Sequence, residues 1–235
     1  MSGAADAGAW EAIVQEVGSK RELTYDAVGT LNPPGGPAAL CPGGTNRLVG
    51  QLSEGFWGAS CDADEREEGR LFSKTVVPQA VLARAHVPDL AQAMPPFNIE
   101  SLERSAEDVI ERRASRHKVQ FESIEFNQRF LATVPSEYDP IALREMFGPG
   151  FLDWVTTIDR EVDFGVSEGQ LYFHWRLRER TREEYETALD SGAGLFTRVC
   201  REVEEHGVHI YLPGPWHAGL EPFPDSPLAS AQSSG

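Results

Sequence analysis

The chain has 235 residues, 40% hydrophobic and 25% charged, the balance of a globular protein long enough for one large domain or two small ones. Lys and Arg number 21 against 37 Asp and Glu, a formal net charge of −16; that excess repels phosphate backbones and anionic lipid and argues against nucleic acid and membrane surfaces as partners. Residues 1–10 lack the basic and apolar segments of a secretory signal, and no apolar run approaches the roughly 18 residues of a membrane span, so the expected compartment is the cytoplasm. Cys41, Cys61 and Cys200 are widely separated and show no CxxC spacing; they make neither a disulfide framework nor a zinc knuckle, and a Cys41–Cys61 bridge stays open.

A helix is predicted over residues 9–17, with Trp10, Ile13, Val14 and Val17 on one stripe and Gly18 just past its end. Residues 32–44, rich in Pro and Gly, read as loop. No Lys-Ser/Thr follows Gly43-Gly44, so the glycines do not make a phosphate cradle. Residues 47–52 and 56–61 read as a hairpin turned by Ser53-Glu54-Gly55. The acidic run 62–70 reads as a solvated loop tip, since the calcium-loop spacing is absent. Residues 71–77 and 79–87 read as extended, separated by Pro78.

After Pro95-Pro96, Asn98 is expected to cap a helix running to about Arg113, burying Ile99, Leu102, Ala106, Val109 and Ile110. The basic residues Arg112, Arg113, Arg116 and Lys118 then suit the end of a helix dipole. Residues 120–134 alternate, predicting a strand with Ile124, Phe126, Phe130, Ala132 and Val134 on one face. Asp139 and Pro140 open a helix interrupted by Gly148-Pro149, and a second piece buries Phe151, Leu152, Val155 and Ile158. A hairpin follows, with Val162, Phe164 and Val166 on one arm and Leu171, Phe173, Trp175 and Leu177 on the other, turned by Ser167-Glu168-Gly169. Thr181-Arg182-Glu183-Glu184 is a capping box. It opens a long helix with the stripe Tyr185, Leu189, Phe196, Val199, Cys200 and Val203, weakened by Gly192 and Gly194 and ended by Gly207. The expected class is therefore α+β, a mostly antiparallel sheet with flanking helices and a long C-terminal helix. The expected parts are a strand-rich 1–97, an α+β 98–212 and a Pro/Ser/Gly tail 213–235, with 9–212 as one integrated domain the other division.

The run Phe121-Glu122-Ser123-Ile124-Glu125-Phe126-Asn127-Gln128-Arg129-Phe130 carries an FxSxxFNxxF pattern. Pro149-Gly150-Phe151-Leu152-Asp153-Trp154 and Gly169-Gln170-Leu171-Tyr172-Phe173 follow it in order. In these three segments, over residues 119–175, the chain resembles the uncharacterised bacterial domain-of-unknown-function family three-one-three-seven; residues 76–87 fit more loosely. Many similar proteins carry one or two membrane-spanning helices before this region, which this sequence lacks. The resemblance implies no activity, cofactor or catalytic residue and points toward binding or scaffolding.

Two constellations could carry chemistry. If the strand holding Glu125, Asn127 and Arg129 neighbours the one holding Tyr172, His174 and Arg176, the six form a polar patch for an anionic ligand or acid–base work; otherwise Glu125 and Arg129 are a surface ion pair. His206 and His209, with His217 beyond them, could hold a metal, although Gly207 keeps the first two off a common helical face and HExxH is absent. There is no GxSxG elbow, Cys200 lies on an apolar stripe where a thiol is inert, and Cys41 has no assignable base. The leading expectation is a non-catalytic cytoplasmic binding or protein-interaction module, with no cofactor and an unidentified protein or a second copy as partner. The alternative is a hydrolase-type enzyme using Glu125, His174 and Arg176 or the three histidines. Self-assembly through Trp57, Trp154, Trp175 and Trp216 is a third.

Overall fold

The computed structural model describes residues 3–28, 45–53, 56–64, 79–87, 89–102, 116–158, 162–167 and 169–210. The loop read over 32–44, the charged residues 65–70, the extended run 71–77, residues 103–113 of the expected helix, and the tail from 213 lie outside them. The strands are β1 (Thr24–Val28), β2 (Thr45–Ser53), β3 (Phe56–Asp64), β4 (Gln79–His86), β5 (Phe97–Ser101), β6 (Arg116–Val119), β7 (Phe130–Pro135), β8 (Val162–Ser167) and β9 (Gln170–Arg176). The helices are α1 (Gly3–Lys20), α2 (Leu90–Ala93), α3 (Ile124–Arg129), α4 (Pro140–Met146), α5 (Pro149–Thr156) and α6 (Arg182–Glu205).

The class is α+β. Among the described residues the strands form one nine-stranded sheet in the order β1-β2-β3-β4-β9-β8-β5-β7-β6, and every pairing is antiparallel. The two hairpins read from the sequence are present, closed by Ser53 opposite Phe56 and by Ser167 opposite Gln170. Asp62 and Asp64 continue β3 opposite Val81 and Gln79, so the loop tip does not begin at residue 62. The first and second halves meet where β4 pairs with β9.

Register divides the sheet into two faces, because directly opposed residues in antiparallel strands point the same way. Ala83, Phe173, Phe164, Ile99, Ala132 and Val119 follow one another across β4, β9, β8, β5, β7 and β6, and all are buried. This is the apolar face, and the helices pack on it. Phe151 of α5 stands edge-on to Phe164 with ring centroids 6.3 Å apart, and Phe147, which ends α4, meets Phe97 at 5.2 Å. Trp10 of α1 meets Tyr185 of α6 edge-on at 5.4 Å.

α6 lies so low on this face that a Cβ at Gly192 would fall 1.9 Å from Cε1 of Phe173. Gly192 therefore fits the helix against the sheet rather than weakening its middle, and the helix runs unbroken through it. The stripe expected for α6 is buried as read. Thr181 caps the helix by accepting from the Glu184 N–H at 3.2 Å, and Gly207 ends it with φ of +82°. α1 likewise continues through Gly18 to Lys20, with Gly18 against Leu48.

Three elements differ from the sequence reading. Residues 97–101 are strand, and Asn98 is a strand residue rather than a helix cap. Five residues satisfy period 2 as readily as 3.6, and β7 and β8 supply ladder partners on both sides. Residues 124–129 are the helix α3, not strand, and Ile124 points outward at 75% exposure. The Ser123 hydroxyl accepts from the Phe126 N–H at 3.2 Å. The Asn127 amide donates to the Phe121 and Ser123 carbonyls at 2.6 and 2.7 Å. These local bonds turn the chain helical before Phe130 enters β7. Residues 116–119 form the edge strand β6, blunted by exposed His117 and Lys118, instead of closing a helix.

Gly192→Ala is expected to destabilise the protein by about 2 kcal/mol or more through overpacking against Phe173. At exposed Gly194 a Cβ meets nothing within 4 Å, so Gly194→Ala should stabilise by up to about 1 kcal/mol. Urea unfolding of the two variants checks both signs.

Candidate functional site

One residue along from the apolar row, the opposite face carries Arg84, Tyr172, Gly165, Asn98, Thr133 and Lys118, opposed in register. Asp163 and His174 face each other in the neighbouring row. Tyr172, Asn98, Thr133, Asp163, His174 and Arg84 are buried, so both faces of the central strands exclude solvent. Buried polar groups need partners. The Tyr172 hydroxyl donates to Asn98 Oδ1 at 2.5 Å, and Asp163 Oδ1 accepts from the Ser101 N–H at 2.9 Å. The second Asp163 oxygen lies 3.5 Å from His174 Nδ1. Gly165 makes room for this arrangement, since a Cβ there would lie 2.7 Å from the Tyr172 hydroxyl and 2.2 Å from the Phe97 carbonyl oxygen.

Burial pushes the Tyr172 phenol well above its ordinary range, and nearby Glu100 pushes the same way. The phenol therefore donates a hydrogen bond and does not serve as a base at neutral pH. At the β6 end of the polar face, Arg116 donates through Nε to Thr133 Oγ1 at 2.8 Å and through Nη2 to the Thr133 carbonyl at 3.2 Å. Burial lowers its pKa, opposed by the nearby carboxylates of Glu100 and Glu137, and a guanidinium stays protonated at neutral pH. A cavity of about 450 Å³ opens beside it, lined in part by Asn98, Arg116, Glu137, Tyr138 and Ser167.

The six residues of the expected patch do not come together. Glu125, Asn127 and Arg129 sit on α3, which feeds β7, and β5 and β8 separate β7 from β9. Asn127 ties down its own turn, and Arg129 donates to the carbonyls of Thr156 and Ile158, joining α3 to the end of α5. Tyr172 and His174 share the polar face, but they are buried at 1% and 2% exposure, and the acid opposite His174 is Asp163. Arg176 lies at the half-buried end of β9.

His206 places Nδ1 2.8 Å from the Glu202 carbonyl and Nε2 3.0 Å from the Glu145 carbonyl, bridging the end of α6 to α4. His209 is exposed, and His217 lies outside the described residues. Among the described residues no group of three His, Cys, Asp or Glu is placed to hold a metal. Burial, with Glu204 adding to it, pushes the Cys200 thiol up to about 12, which keeps it protonated at neutral pH. Cys41 lies outside the described residues. Trp175 is buried in the core and Trp154 is half-buried beneath Arg198 at 5.9 Å; Trp216 and the Trp57 side chain lie outside the described residues.

Asn98, Arg116, Glu137, Asp163 and Ser167 are the site residues that sequence reasoning missed. For Asp163 a signal existed. A hairpin closed by Ser167 and Gln170 sets Asp163 opposite His174 by counting back from the turn. No family model matches the chain, and no curated protein matches it. Among the described residues no helix is long and apolar enough to cross a membrane.

Two expectations follow from these geometries. The Cys200 thiol ionises near 9 when exposed and about 12 when folded. Tyr172, ordinarily near 10, is held higher still. Above those ordinary values the unfolded chain has lost protons that the folded chain keeps, so stability falls as pH rises. Each group contributes up to about 1.4 kcal/mol per pH unit. Cys200→Ala should flatten the decline from pH 9 upward and Tyr172→Phe the part above pH 10, read from urea midpoints across that range. His206→Ala should lower stability by about 1 kcal/mol through the lost hydrogen bond to a carbonyl, while a chelator leaves the wild-type midpoint unchanged; a chelator-induced drop would restore the metal reading.

Proposed function

We propose that this chain is a non-catalytic binding module of the cytoplasm, related to domain-of-unknown-function family three-one-three-seven, which holds a small ligand in the cavity at the β6 end of the polar face. Arg116 carries the reading. Its half-buried guanidinium is oriented by Thr133, and its hydrogen bonds among the described residues go to Thr133 alone. It opens on a cavity of about 450 Å³, within the range of small-molecule sites. A half-buried cation held in place beside open volume suits ligand capture. The polar groups deeper in the sheet engage one another, as in Tyr172 with Asn98 and Asp163 with Ser101 and His174. His174 is 2% exposed and Cys200 is 5% exposed, which favours binding over a hydrolytic role for either.

The proposed kinship draws support from where the motif segments fall. They make α3 and the start of β7, then α5, then the start of β9, and all three bury aromatic rings in one core.

Protein prepared without a histidine tag should release a small molecule in native mass spectrometry, or be stabilised against heat by members of a metabolite library. Ser167→Trp, which fills the cavity mouth, should abolish either signal while remaining folded. A ligand turned over by the wild type would move the assignment to an enzyme. Signals identical in wild type and Ser167→Trp would remove the cavity as the binding site.

A further inference from the structure

Resting on that binding reading, we infer that the cavity takes a zwitterion of the α-amino-acid class with an apolar side chain. The cavity wall carries two opposite charges, Arg116 and Glu137. They are close enough to act on one another electrostatically. Yet the hydrogen bonds of the Arg116 guanidinium go to Thr133 and none goes to Glu137. A ligand bearing both a carboxylate and an ammonium fits between them, its carboxylate on the guanidinium fork and its ammonium on the Glu137 carboxylate.

Charge balance selects against the simpler ligands. A dianion would meet Arg116 but also face Glu100 and Glu137, whose charges already act on that arginine, on a chain of net charge −16. A simple cation would be drawn to Glu137 and repelled by Arg116. A neutral molecule would leave both charges to water. A zwitterion satisfies both at no net change in charge. Asn98 and Ser167 add neutral hydrogen-bonding groups to the same wall, and the half-buried Pro96 and Pro135 supply apolar surface for a side chain. The Tyr138 ring stands partly open beside them at 41% exposure, where it can close over the ligand.

The test is calorimetric titration of the full chain at neutral pH with L-leucine, with isocaproate, which lacks the ammonium, and with isoamylamine, which lacks the carboxylate. Leucine should bind, and each one-charge analogue should bind at least about tenfold more weakly. Arg116→Gln should weaken leucine about tenfold while isoamylamine, relieved of the like charge, binds no more weakly; Glu137→Gln should likewise weaken leucine while isocaproate binds no more weakly. Glu137 is exposed, so its variant keeps the wild-type unfolding midpoint; Arg116→Lys, which keeps the charge and loses the fork, replaces Arg116→Gln if that chain does not fold. Isocaproate or isoamylamine binding as tightly as leucine would overturn the zwitterion while leaving a binding module. So would leucine binding that neither substitution weakens. If none of the three binds and another ligand is lost in Ser167→Trp, the class is wrong and the module stands. If nothing binds and nothing is carried by the purified protein, both fall.

Discussion

The register of the antiparallel sheet is the constraint on which the other features depend. Side chains alternate along a strand, so a slip of one residue would exchange the faces of an entire strand. In the observed register Ala83, Phe173, Phe164, Ile99, Ala132 and Val119 stand beneath the helices, and Arg84, Tyr172, Gly165, Asn98 and Thr133 share the other side. Both rows are buried, and they obey different rules. The apolar row gains from removal of water and from close packing. The polar row is tolerable only where each group finds a partner, so it penalises wrong registers more than it stabilises the right one. Tyr172 on Asn98 and Asp163 between Ser101 and His174 hold three strands to one alignment. The small residue Gly165 is what lets Tyr172 reach across β8.

Helix α6 then transmits that order to the rest of the molecule. Seated against Phe173 at Gly192, it holds α1 near its N-terminal end. There Tyr185 meets Trp10, Arg182 pairs with Glu16, and Asp190 accepts from Arg21 at 2.7 Å. Near its C-terminal end Glu202 accepts from the Gly148 N–H at 3.3 Å, where α5 begins, and His206 reaches the Glu145 carbonyl. The halves that composition suggests are thus joined by a shared sheet, through β4 and β9, and by one helix lying across both.

What the sequence makes legible is what local chemistry determines. Asp139 before Pro140 caps α4, its carboxylate accepting from the Ile141 N–H at 2.9 Å; Thr181 caps α6; and β8 and β9 alternate around a short turn. Residues 97–101 and 124–129 are too short for period to decide between helix and strand. The first became strand because two neighbours offered ladder bonds, the second helix because Ser123 and Asn127 offered side-chain bonds. The polar patch failed for a different reason. Alternation identified Tyr172 and His174 as opposite in face to Phe173, but not that this face is also buried, and not that β8 and β5 stand between β9 and β7. Arg116 was illegible because it was read at the end of a helix, and its site exists only once β6 pairs with β7 and brings it to Thr133.

The FxSxxFNxxF run shows why a recognisable pattern need not mark a functional site. Ser123 caps α3 and Asn127 clamps the preceding turn. Phe121 meets Phe126 at 5.1 Å, Phe126 meets Phe130 at 5.2 Å, and Phe147 stacks on Phe151 at 4.2 Å, carrying the ring cluster from α3 to α5. Each patterned residue in this run is engaged in turning the chain or filling the core. The groups that line the cavity come instead from α2 and the residues after it, β5, β6, the ends of β7 and β8 and the residues after β7, none of them in the pattern. A chain with the same pattern would inherit the turn into β7 and the aromatic core. On the proposed reading its ligand would follow from what stands at the positions of Arg116 and Glu137, which lie outside the pattern.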